Sequence, residues 1–138
     1  MNYPQNIKVT VDAVVFTSDH KEVLLIQRKN DPFREQWALP GGFVEDSEGL
    51  DTAVARELEE ETGVVISHFR QVHTFGEPYR DPRGRAISVA YLTVVNKEEV
   101  HLRAATDANA VRWFLLSDLP RLAFDHADIL DCAQKALV

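Results

Sequence analysis

Cysteine is nearly absent from this chain: Cys132 is the only one in 138 residues. A single thiol excludes a disulfide framework and any zinc site built on thiolates. With Leu130, Ala133 and Ala136 around it, Cys132 reads as a small buried helix residue rather than a reactive nucleophile. No apolar run approaches the roughly 18 residues needed to span a bilayer. The leading Met1-Asn2-Tyr3-Pro4-Gln5 has neither the basic nor the apolar stretch of a signal peptide. Positive charge is also scarce. The 15 basic residues face 22 acidic ones, and the net charge of −7 repels a bare phosphate backbone, which argues against autonomous binding to nucleic acid. What is present is ordinary: 45% hydrophobic and 27% charged residues exclude disorder, collagen and a repeat array. The length suits one compact domain over residues 1–138, and a chain of this size buries about two thirds of its unfolded surface. A cytoplasmic protein is expected.

Ile7 to Phe16 is rich in Val and Ile, and Val23-Leu24-Leu25-Ile26 is a second apolar run. The polar stretch Ser18 to Glu22 between them predicts a hairpin. Leu39-Pro40-Gly41-Gly42 interrupts regular structure, because Pro removes a donor and Gly permits φ > 0. The period then changes. Ser47 is the expected N-cap, Glu48 and Asp51 load the first turn, and Gly63 stands at C′, which predicts a helix over Glu48 to Thr62. Further strands are expected at Val64 to His73, Ala86 to Val95 and Ala110 to Leu116. Leu122, Ile129, Leu130, Ala133 and Leu137 recur at helical spacing and predict a closing helix. Strands and helices alternate without a steady βαβ rhythm, so the fold class is α/β in the α+β sense, a mixed sheet with helices on its faces.

The first helix breaks its own pattern. At 100° per residue Leu50, Ala53 and Val54 define a core-facing stripe, and its continuation falls on Glu57, Glu60 and Glu61. Glu57 and Glu61 are a like-charge (i, i+4) pair, destabilising by about 0.2–0.5 kcal/mol, near the negative end of the helix dipole. The nearest compensating charge, Arg56, points about 100° away from Glu57 on an ideal helix. Carboxylates gathered on one side without lysines suit a hard divalent cation such as Mg²⁺. Local rules broken without local compensation are where function is expected.

Around this helix, Gly42 is followed after five residues by Glu48, after seven more by Arg56-Glu57-Leu58, and then by Glu60-Glu61 and Gly63-Val64. This arrangement resembles the box of the Nudix hydrolase family at every specified position, a chance match on the order of 10⁻⁸ at typical residue frequencies. The resemblance implies an α/β/α sandwich around a mixed sheet. It implies hydrolysis of a nucleoside diphosphate linked to another group, with Mg²⁺ or Mn²⁺ as cofactor. Carried onto this chain, it makes Glu57 and Glu61 direct metal ligands, Glu60 a ligand directly or through water, and the Gly41 carbonyl a ligand from the preceding loop. Arg56 and Glu48 would hold the glutamates in place.

Thr74 to Pro78, Arg80 to Arg85 and Leu122 to His126 resemble the subgroup of this family containing ADP-ribose pyrophosphatases and the ligand-binding domain of a repressor of NAD metabolism. That likeness runs from about Val11 to Ile129. It moves Phe124 and His126 toward the binding cleft. Arg80, Arg83 and, less strongly, Arg28 are candidates for the phosphates or the ribose, since guanidinium binds phosphate through two parallel bonds. Arg85 is a lesser candidate than Arg80 and Arg83. Trp37 is expected in the core, and His20, His68, His73 and His101 share no metal-ligand spacing. The reaction implied is hydrolysis of ADP-ribose to AMP and ribose 5-phosphate. Its general base is to be sought at Glu57 or Glu61, or outside the box at Asp107, with Glu98 and Glu99 as competitors. The alternatives are a nucleoside triphosphate or another nucleotide sugar as substrate, and a non-catalytic ADP-ribose sensor. The related repressor carries a DNA-binding domain after this region, whereas this sequence ends at Val138; the expected partner is a small-molecule nucleotide, with no nucleic acid and no membrane, and a homodimer is allowed.

Overall fold

The computed structural model describes residues 5–104 and 108–137. Its centre is the strand β1 (Lys8–Thr17), which runs parallel to β6 (Ala86–Val95) from Lys8↔Ala86 to Thr17↔Val95. The other pairings are antiparallel. On its second edge β1 meets β2 (Glu22–Arg28) at Phe16↔Val23 and β4 (Gly41–Phe43) at Thr10 to Asp12. β2 also carries β3 (Trp37–Ala38) and β7 (Ala108–Leu115), while β5 (Arg70–Phe75) lies outside β6. One parallel pair in an otherwise antiparallel sheet is the mixed sheet expected from the sequence.

Strand alternation sends successive side chains of β1 to opposite faces. Val11, Ala13 and Val15 pack with Val89 and Tyr91 against Ala53, Val54 and Leu58 of α1 (Leu50–Thr62). Val14 and Phe16 pack with Ala90 and Leu92 against Ile129, Leu130 and Ala133 of α2 (His126–Ala136). Two helices thus sandwich the sheet, and every residue in these two sets is at most 5% exposed except Val89 at 6%. Among the described residues no helix is long and apolar enough to cross a membrane.

Several boundaries depart from the sequence-based expectation for identifiable reasons. α1 begins at Leu50 with Gly49, not Ser47, as its N-cap, and no side chain caps it. Glu48 lies in a turn closed by its own N–H on the Glu45 carbonyl, and Gly49 is extended, so the helix starts after them. At the other end the prediction holds: Gly63 adopts φ 81° and its N–H returns to the Glu59 carbonyl at 2.9 Å, closing the helix as glycine does in the left-handed region. The strand expected from Val64 starts at Arg70, since Val64, Ile66 and Phe69 pack onto the α1-side core. β7 begins two residues earlier than Ala110. The closing helix begins at His126, and Leu122 precedes it, bridging to Trp37. Cys132 is half-buried on α2 rather than fully enclosed.

Candidate active site

A cavity of about 430 Å³ opens where α1, β4, β1 and the residues preceding α2 converge. One wall carries the carboxylates of the box. Glu61, 8% exposed, accepts the Gly41 N–H on Oε1 at 2.7 Å. Glu57 lies against Gly42 so closely that a Cβ there would sit 2.6 Å from its Cδ. Glycine at position 42 lets the Glu57 carboxylate stand where a side chain would displace it.

The Arg56 side chain answers the charge of this wall. Its Nε donates to Glu48 Oε2 at 2.8 Å, Nη1 to Glu57 Oε1 at 3.0 Å and to Glu60 Oε2 at 3.2 Å, and Nη2 to the Phe43 carbonyl at 3.2 Å. The expectation that Arg56 points away from Glu57 is therefore corrected, because a long flexible side chain folds back across the helix surface. Hydrogen bonds from Arg56 hold the Glu48 carboxyl down at about 2, and the same pairing raises the already high Arg56 value. The inward placement of Glu60 is also corrected. Its side chain is 58% exposed, paired with Arg56 outside the cavity lining, since position 60 has rotated past the buried stripe of Leu58, Glu61 and Thr62.

The facing wall is cationic and aromatic. Arg80, with its side chain 6% exposed, donates Nε to Asp125 Oδ2 at 2.8 Å and Nη2 to Asp125 Oδ1 at 2.6 Å. Arg83 makes the same two-pronged contact with Asp81 at 3.0 and 2.7 Å. Both guanidinium planes are thereby fixed by carboxylates before any ligand arrives. Burial pushes the Asp81 carboxyl up, but its bonds to Arg83 outweigh this and hold it below the ordinary carboxylate value. Arg28 lies 4.9 Å and Arg83 5.2 Å from the centre of the Phe124 ring, Arg83 also stands 5.0 Å over Phe43, and the Phe33 ring lies tilted against Phe124 at 4.7 Å. Phe33 and Phe124 both adopt positive φ, 60° and 53°, a strained backbone of the kind that clusters at binding sites. Arg85 is outside the cavity lining.

His126 is buried at the base of the cavity, where its Nδ1 accepts the Leu39 N–H at 3.0 Å. An acceptor at Nδ1 defines a neutral ring with its proton on Nε2. Burial lowers its pKa against the opposing pull of the Asp12 carboxylate. The structure thus gathers Gly41, Arg56, Glu57, Glu61, Arg28, Arg80, Arg83, Phe124 and His126 about one cavity. Asp107 lies outside the described residues. Glu98 and Glu99 are exposed beyond β6, away from the cavity. Trp37 is half-buried, edge-on to Phe114 at 4.7 Å.

Three carboxylates went unsingled in the sequence: Asp12, Asp81 and Asp125. A signal existed for Asp12, which is a charge set among the apolar residues Val9, Val11, Ala13, Val14, Val15 and Phe16 of β1. For Asp81 the signal was the arginine two residues on, with which it pairs; for Asp125 there was none, because its partner Arg80 lies 45 residues away.

The donor set fits a hard divalent cation, since the cavity is lined by the carboxylate residues Glu57 and Glu61 and by no cysteine. Among the described residues no three of His, Cys, Asp and Glu are gathered closely enough to hold an ion unaided. That is compatible with Mg²⁺, which keeps waters and completes its shell with one or two carboxylates and substrate phosphate oxygens.

The NUDIX domain family matches residues 6–132, and the chain belongs to the Nudix hydrolase family. Among its relatives is an ADP-ribose pyrophosphatase of Methanocaldococcus jannaschii, 44% identical over 88% of this chain and 70% of that protein. The NUDIX domain of Shewanella oneidensis NrtR, solved in complex with ADP ribose, is 36% identical with a TM-score of 0.88, covering 99% of this chain and 95% of that one. A bifunctional NMN adenylyltransferase/ADP ribose pyrophosphatase from Francisella tularensis, complexed with AMP and a manganese ion, is 36% identical with a TM-score of 0.83 over 94% of this chain. The chain spans 41% of that bifunctional protein, and about half the length (54%) of a longer curated relative.

Proposed function

We propose that this chain hydrolyses the pyrophosphate of ADP-ribose to AMP and ribose 5-phosphate, with Mg²⁺ or Mn²⁺ held at Glu57 and Glu61. The observation that carries this is the cavity itself: two box carboxylates on one wall face fixed arginines and an aromatic floor on the other. The likeness to proteins that cleave or bind ADP-ribose supports the choice of substrate.

The cation would supply charge neutralisation at the phosphoryl oxygens and acidify a bound water. The protein's own groups do the rest. The Gly41 N–H holds Glu61 in a single orientation, and Arg56 restrains Glu57. Arg80 and Arg83, locked by Asp125 and Asp81, offer N–H groups to the phosphates or the terminal ribose. Phe124, backed by Phe33, provides an aromatic face on one side of the cavity. Glu57, Glu61 and Asp107 are the candidates for taking the proton from the attacking water. Discrimination against triphosphates would come from the ribose, because polar groups built to bond its hydroxyls are left unpaired by another substrate.

The second reading, an ADP-ribose sensor, is favoured by the likeness to NrtR. A panel of ADP-ribose, nucleotide sugars and nucleoside triphosphates, assayed with Mg²⁺ and Mn²⁺ for AMP or pyrophosphate release, decides between them. Preferential AMP release from ADP-ribose is expected. Tight ADP-ribose binding without AMP release would establish the sensor, and preferential pyrophosphate release from a triphosphate would replace the substrate.

A further inference from the structure

One carboxylate of the cavity has no part in the chemistry above. Asp12 points to the α2 side of β1, in phase with Val14 and Phe16, and is 5% exposed. The Ser88 hydroxyl on neighbouring β6 donates to its Oδ2. Its Oδ1 lies 3.4 Å from Nε2 of His126, the first residue of α2. Across the ring, Nδ1 accepts the Leu39 N–H at 3.0 Å.

The segment from Leu39 to Gly41 is built unusually for a strand entry. Pro40 has no N–H, so the segment has two donors, and neither goes to the sheet. The Leu39 N–H goes to His126 at the start of α2, and the Gly41 N–H goes to Glu61 of α1 at 2.7 Å. The sheet holds the segment through the Pro40 carbonyl, which accepts the Ala13 N–H at 2.8 Å. Asp12 backs it: a Cβ on Gly41 would stand 2.6 Å from Asp12 Oδ1 and 2.1 Å from the Val11 carbonyl. Three residues are therefore tethered between two helices on opposite faces of the sheet, with one tether being a carboxylate of the box.

We propose that His126, seated against Asp12, is a positioning residue that clamps the Leu39 main chain and thereby sets where the Gly41 N–H holds the Glu61 carboxylate. The inference rests on the reading of Glu61 as part of a pyrophosphohydrolase site and adds that α2 controls it. A clamp is needed because Leu39 and Gly41 donate to side chains. Side-chain acceptors, unlike a ladder, hold a strand only as firmly as their own rotamers are held. Asp12, itself held by the Ser88 hydroxyl, stands 3.4 Å from the far side of the His126 ring and limits its rotation.

Amide hydrogen exchange on the full chain, without metal or substrate, tests this in wild type, His126→Ala and His126→Asn. The Asn side-chain oxygen can accept the Leu39 N–H, and alanine cannot. His126→Ala is expected to speed exchange at both Leu39 and Gly41 by about three- to tenfold, the population released with one hydrogen bond, while amides of the β1–β6 ladder keep their rates. His126→Asn should restore both. A Mn²⁺ titration should show weaker binding in the alanine variant and recovery in the asparagine variant, and ADP-ribose turnover should fall in kcat with KM nearly unmoved. Faster exchange at Leu39 with Gly41 unmoved would break the relay and overturn the proposal, as would unchanged rates at both. Should His126→Ala fail to fold, His126→Asn decides: kept protection at Leu39 and Gly41 with kept Mn²⁺ affinity supports the clamp, and their loss overturns it. Absence of ADP-ribose cleavage in the wild type would sink the functional reading and leave the exchange result standing.

Discussion

Replacing Gly42 by alanine adds one methyl group at a point 2.6 Å from Cδ and Oε1 of Glu57 and 2.7 Å from its Oε2. Ordinary contact for a Cβ begins near 3.4 Å, so the carboxylate must retreat by about 0.8 Å, and a packed site transmits such a displacement rather than absorbing it. The far end of a Glu side chain can make that move without unfolding anything. Gly42 is not among the residues of positive φ, so alanine fits its backbone and gains about 0.4–1 kcal/mol by restricting the unfolded chain. The expected result is a protein as stable as the wild type, or slightly more so, whose turnover falls on the order of 10²-fold, the usual consequence of a 1 Å misplacement in a catalytic constellation. Gly41→Ala provides the contrast. Its methyl meets the Val11 carbonyl at 2.1 Å and the Asp12 Cα at 3.0 Å, backbone atoms that cannot swing aside, so β4 is forced off β1 at about 1–3 kcal/mol in stability. Thermal melts and steady-state AMP release from ADP-ribose, measured on both variants, separate the two. Wild-type turnover in a folded Gly42→Ala protein would refute the assignment of Glu57 to the site.

Glu57→Gln and Glu61→Gln should each remove most turnover and weaken Mn²⁺ binding while leaving the melting temperature near that of the wild type; full activity in excess chelator would remove the metal from the mechanism. Arg80→Ala should weaken ADP-ribose binding by about 1.5–3 kcal/mol, the range for hydrogen bonds to charged groups, and Arg80→Lys should recover only part, because ammonium lacks the planar fork; isothermal titration showing no loss would return Arg80 to a purely structural pairing with Asp125. Burial lowers the His126 pKa, so below its unfolded value of about 6.5 the unfolded chain binds more protons than the folded one and stability rises with pH. Stability should therefore decline as pH falls from 7 toward 5, and decline further near pH 4 and below as Asp81, held low in the fold by Arg83, is forced to protonate. Urea midpoints that stay flat between pH 5 and 7 would contradict the His126 part, and His126→Asn should flatten that limb.

Much of this protein can be read in one dimension because the underlying physics is local. Apolar alternation in β1 and β6, the glycine that ends α1, and glutamates continuing a buried helical stripe all follow from backbone geometry over a few residues. The family box is local in the same sense: its glycine, arginine and glutamates act within one loop and one helix, so their spacing in the chain reports their spacing in the fold. Even there Glu60 misled, since a stripe projected at 100° per residue does not say which side of a wide face the sheet covers. Which residues pair across long separations is set by the folded chain alone. Arg80 meets Asp125 across 45 residues, Ser88 meets Asp12 across 76, and Leu39 meets His126 across 87. None of these pairs has a spacing rule, because each exists only once the sheet has brought strands and helices from opposite ends of the chain together. A buried charge must find its partner wherever the fold puts one, and the sequence around Asp12 or Asp125 carries no trace of where that is.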